Sequence, residues 1–113
     1  MTRRGVGLTF GSIPSCPRSM AEALIIDAVR TPRRKRKGSL AGIHSVDLAA
    51  HVLGAVLERT GVPADKVEDV VLGCVTQIGE QAFDVARGAV LAAGLPISVP
   101  GKTVNRLCGS GLT

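Results

Sequence analysis

Aromatic side chains are nearly absent from this sequence, which has two Phe, no Trp and no Tyr among 113 residues. Base stacking is thereby almost excluded as a mode of recognition, and any core must be built from Val, Leu, Ile and Ala. Cysteine is also scarce. Cys16, Cys74 and Cys108 are widely separated, odd in number and form neither a C-x-x-C pair nor a His/Cys cluster. That argues against a disulfide framework and against a metal site, and a reducing, cytoplasmic setting is the simplest home. No apolar run approaches the ~18 residues of a membrane span, and residues 1–20 lack the continuous hydrophobic stretch of a secretory signal. No membrane partner is expected.

What is present favours a folded α/β chain. Hydrophobic residues make up 45% of the sequence and the mean hydropathy is +0.29, unlike a disordered tail. The length allows one small domain, which should bury about two-thirds of its extended surface if it folds completely. Fourteen glycines and many alanines imply close approaches between backbones, as where helices lie tightly on a sheet. The net charge of +5 resides in one block, Arg33-Arg34-Lys35-Arg36-Lys37, outside which the chain is neutral. Such a block can contact phosphates, but without stacking aromatics a solvated loop is the simpler reading, and no nucleic-acid partner is expected.

Along the chain, residues 1–20 carry Gly, Ser and Pro without helical or strand period, and Met20 stands directly before the first patterned segment. Residues 1–20 therefore read as a disordered leader or a start-site extension, leaving 21–113 as the domain. Ala23-Leu24-Ile25-Ile26-Asp27-Ala28-Val29, ending at Arg30-Thr31-Pro32, predicts a buried strand. After a basic loop over 30–44, Ser45 is a candidate N-cap. Ala49, Val52, Leu53, Val56 and Leu57 then fall at i, i+3, i+4, i+7 and i+8 of an amphipathic helix closed by Gly61 and Pro63. A second buried strand is predicted over Val70–Val75, and a small-residue helix over Ala82–Ala93. A third strand, over Lys102–Leu107, leads into Cys108-Gly109-Ser110-Gly111. The order β-α-β-α-β implies a parallel sheet, in which reactive groups sit beyond the carboxyl ends of strands.

Cys108 falls at such an end. A thiol attacks as thiolate, and the start of a helix supplies unpaired N–H groups and partial positive charge that favour this form. Gly109 and Gly111 permit a tight strand-to-helix bend and let a substrate carbonyl approach backbone N–H groups, the logic of a nucleophile elbow. From spacing alone, a solitary cysteine beside glycines is more often an inert thiol. Cys74, inside an apolar strand, reads as structural.

Val104-Asn105-Arg106-Leu107-Cys108-Gly109-Ser110-Gly111-Leu112 resembles the motif around the acyl-accepting cysteine of the thiolase family. A-L-I-I-D-A-V-R-T-P resembles that family's opening strand and turn. V-V-L-G-C-V-T-Q-I-G-E-Q and A-R-G-A-V-L-A-A-G-L-P-I-S-V-P-G are similar to its second strand, Gly-Glu loop and alanine-rich helix, in order and spacing. The resemblance covers Ala21 to Thr113. It implies an α/β fold of two similar halves, each a mixed sheet covered by helices, of which this chain holds part of the first. It also implies coenzyme A thioesters as substrates with no further cofactor, and a homo-oligomer as the working state.

The same resemblance makes Cys108 the acyl-thioester nucleophile and an oxyanion donor through its backbone N–H. The reaction would be thiolytic cleavage of 3-ketoacyl-CoA or its reverse, a Claisen condensation. The Gly-Glu-Gln loop and the Leu-Pro-Ile-Ser-Val-Pro-Gly turn lean towards longer acyl chains, whereas Arg34 stands where many relatives have glycine.

That chemistry also needs acid–base groups. His51 lies about 200° around the helix from the apolar face and His44 lies in the basic loop, so neither reads as poised. The family's histidine and second cysteine come from motifs that no stretch here matches. The expectation is a thiolase N-terminal piece, inactive alone; the alternative is a non-catalytic fragment or a split half that docks onto a separate C-terminal partner. The helix after the nucleophile would be cut to Gly109–Thr113, leaving one sheet face bare and the chain poorly folded.

Overall fold

The computed structural model describes residues 22–112. The leader reading, Cys16 and Thr113 lie outside the described residues. Among the described residues two α-helices and two strands alternate: α1 Ser45–Thr60, β1 Val70–Gly73, α2 Val85–Ala92 and β2 Gly101–Val104. Single 3-10 turns occupy Ala64–Lys66, Gly79–Gln81 and Ser110–Leu112.

The strands pair in parallel, with Val70 opposite Gly101 and Gly73 opposite Val104, and α2 makes the crossover between them. A parallel pair needs a connection of this kind, and here the helix lies directly on the ladder. Gly101 explains how closely. A Cβ there would stand 2.8 Å from the Ala86 carbonyl carbon and the Arg87 nitrogen, so only glycine lets β2 pass under α2. Asp84 caps α2 by accepting from the Arg87 N–H at 3.2 Å, and the Thr103 hydroxyl of β2 donates to the same carboxylate at 2.7 Å. Arg87 in turn reaches the carbonyls of Val99 and Ile97, stapling the loop that returns to β2.

The core is small and aliphatic. Val70, Val90, Leu95 and Val99 are buried together, and Leu53 and Leu57 pack against them from α1. On the other side of β1, Val71 remains 43% exposed.

The two helices and the later two strands match their predicted positions, with shorter ends. Strand β1 stops at Gly73 and β2 at Val104. Helix α2 begins after Asp84, because Phe83 takes a positive φ of 59° that no helix continues through. At α1 the cap is His44, whose Nδ1 accepts from the Val46 N–H at 3.2 Å, while the Ser45 hydroxyl donates to the Glu80 carbonyl. The predicted first strand, Ala23–Val29, is not part of the ladder: Leu24, Ile25 and Ile26 are 73%, 94% and 76% exposed. A strand exists only through its partner. Here the segment is held instead by Asp27, which accepts two hydrogen bonds from the Arg59 guanidinium at 2.8 and 3.2 Å.

Candidate active site

Parallel pairing puts the carboxyl ends of β1 and β2 on one rim, where residues 74–76 and 105–112 face each other across the ladder. The Cys74 N–H donates to the Val104 carbonyl at 3.0 Å, and the Asn105 side-chain amide donates to the Val75 carbonyl at 3.1 Å. Gly73 is the closest approach. A Cβ there would stand 2.6 Å from the carbonyl carbon and oxygen of Ser110, so the turn after β2 sits directly on the last residue of β1.

Cys108 lies in that turn and its thiol is exposed. The residue before it, Leu107, has a φ of 49°, a left-handed conformation costing roughly 1–2 kcal/mol for a residue with a side chain. Side chains hold it there. The Leu107 N–H donates to Asn105 Oδ1 at 3.0 Å, an Asx turn. The Leu107 carbonyl accepts from the Ser110 hydroxyl at 2.6 Å and from the Ser110 N–H at 3.1 Å. The Cys108 N–H donates to no group among the described residues. A thiol and an uncommitted N–H on the same residue, at the end of a parallel strand, can accept an acyl group and stabilise the oxygen that turns anionic as it does so.

Neither histidine serves this turn. His44 is the α1 cap, and His51 is exposed and borders a hollow of about 410 Å³ between residues 29–32 and α1 that does not include Cys108. A smaller hollow of about 300 Å³ beside the rim is lined by Ser45, Leu72, Cys74, Thr76, Gln81 and Val85. Cys74 is buried, with its sulfur 3.4 Å from Gln81 Oε1 and 3.7 Å from the Thr76 carbonyl. It is a packed thiol, as the sequence predicts. The basic block Arg33–Lys37 is exposed and enters no ion pair among the described residues. No cluster of three or more His, Cys, Asp or Glu side chains suited to a metal occurs among them either.

Sequence reasoning passed over Asn105 and Ser110. The signal was legible in kind, since Asn two residues before a tight bend and Ser just after it are the types whose short side chains bond nearby backbone.

This is an α/β protein with an exposed thiol at the carboxyl end of a parallel strand. The chain belongs to the thiolase family: residues 23–113 match the model of the thiolase N-terminal domain. It is 55% identical over 91 residues to a steroid 3-ketoacyl-CoA thiolase of Mycobacterium tuberculosis, covering 80% of this chain and 22% of that protein. It is 51% identical over 94 residues to a beta-ketoadipyl-CoA thiolase of Escherichia coli, covering 82% and 23%. The crystal structure of a Bacillus anthracis acetyl-CoA acetyltransferase superposes with a TM-score of 0.61 at 41% identity, over 66% of this chain and 19% of that one. The chain thus spans under a quarter of the length of these relatives.

Proposed function

We propose that this chain carries the acyl-accepting cysteine of a thiolase-type acyl-CoA C-acyltransferase. In the cleavage direction the Cys108 thiolate attacks the keto carbonyl of a 3-ketoacyl-CoA, a carbon–sulfur bond forms, and the carbon–carbon bond to the acetyl unit breaks. The acetyl-CoA carbanion takes up a proton and leaves. A second coenzyme A, as thiolate, then attacks the acyl-cysteine and releases Cys108. Coenzyme A is a substrate throughout, and the Cys108 N–H donates to the oxyanion in both halves.

The observation that carries this reading is the exposed Cys108 on a left-handed turn at a strand's carboxyl end, with its own N–H uncommitted among the described residues. Since His44 and His51 lie on other business, the proton acceptors come from polypeptide other than residues 22–112. The working state we infer is a cytoplasmic homo-oligomer; no helix among the described residues is long and apolar enough to cross a membrane.

Incubation of the 113-residue chain with acetyl-CoA, followed by peptide mass spectrometry, tests the proposal. One acetyl group is expected on the Cys108 peptide, none on that of Cys74, and none in Cys108→Ala, without sustained turnover. Repeated release of coenzyme A by the pure chain would overturn the missing-base part, and an unmodified Cys108 would overturn the whole. A second reading, a split half that docks onto a separately encoded chain, is favoured by the exposed Val75, Ile78 and Leu112 around the rim. Co-purification with a polypeptide that restores turnover distinguishes it.

A further inference from the structure

We propose that Ser110 and Asn105 are positioning residues that aim the Cys108 N–H at the substrate oxygen, an inference that rests on Cys108 being the acyl acceptor. The Ser110 hydroxyl spans the bend: it accepts from the Arg106 N–H at 2.8 Å and donates to the Leu107 carbonyl at 2.6 Å. Ser110 is 6% exposed and is seated against Gly73, so it is itself fixed. Asn105 ties the Leu107 N–H to the rim of β1 through Val75. A trans peptide is planar, with its C=O and N–H pointing oppositely. Holding the Leu107 carbonyl towards Ser110 therefore turns the Cys108 N–H to the far side, where no acceptor among the described residues meets it.

Acylation and alkylation of the same sulfur separate this role from general support of the turn. Attack on acetyl-CoA forms the sulfur–acetyl bond, expels the coenzyme A thiolate and passes through an oxyanion, whereas attack on iodoacetamide displaces iodide and forms none. In Ser110→Ala the acetylation rate of Cys108 should fall about tenfold, less than the hundredfold or more that follows complete removal of an oxyanion donor. The alkylation rate should be unchanged. Ser110→Thr, which keeps the hydroxyl, should recover acetylation, and Asn105→Ala should behave as Ser110→Ala does.

Equal acetylation rates in wild type and Ser110→Ala, or a parallel fall in both reactions, would overturn the proposal. Absence of acetylation in the wild-type chain would instead remove the acyl-acceptor reading on which it rests. Alkylation of the buried Cys74 reports unfolding; if Ser110→Ala exposes it, Asn105→Ala decides by the same two rates.

Discussion

Two glycines do different work at two backbone contacts, and substituting each separates them. At Gly73 an added methyl would enter the Ser110 carbonyl at 2.6 Å, so Gly73→Ala must push the Cys108 turn off β1. At Gly101 it would meet the backbone of Ala86 and Arg87, so Gly101→Ala must lift α2 instead. Backbone is not free to yield as a side-chain tip is, and each change should cost about 1–3 kcal/mol. Hydrogen exchange should report them at different places: faster exchange at Arg106 and Leu107 in Gly73→Ala, and through Ala89–Ala93 in Gly101→Ala. Uniform exchange changes in both variants would contradict separate contacts. The cysteine itself could be found in the sequence from its place after a strand and between glycines. Leu107 could not be identified as the left-handed residue, because that conformation is imposed by bonds from Asn105 and Ser110 against the local preference of leucine.

Among the elements, the helices were legible because their apolar spacing coincides with the face they bury, Leu53 and Leu57 in α1 and Val85, Ala86, Ala89 and Val90 in α2. Residues 23–29 have equally clear apolar character but no ladder among the described residues, since pairing is a property of two segments and cannot be read from one. What holds that segment is the Asp27–Arg59 pair, with the arginine side chain 62% exposed. An ion pair so open to water contributes at most ~1 kcal/mol. Arg59→Ala should therefore leave α1 helical by circular dichroism while speeding limited proteolysis within 22–30 several-fold, about the change that ~1 kcal/mol allows. Equal cleavage rates would show that apolar contacts hold the segment.

For the molecule as a whole, the balance of core and exposure decides behaviour. Among the described residues only Val90 and Val99 are large side chains buried almost completely, while Leu24, Ile25, Ile26, Ile78, Phe83, Ile97 and Leu112 are exposed. Each aliphatic side chain left in water forgoes about 1.5–3 kcal/mol of burial, and several together equal the 5–15 kcal/mol stability of an ordinary domain. The purified 113-residue chain should melt broadly and bind a hydrophobic dye below its transition. A sharp calorimetric peak without dye binding would contradict this. The parallel ladder has a further practical consequence. Both strands deliver their chemistry to one rim, so Ser98, exposed in the turn that enters β2 from the opposite side, is a natural anchorage for a fluorophore or a surface tether that leaves the thiol unobstructed.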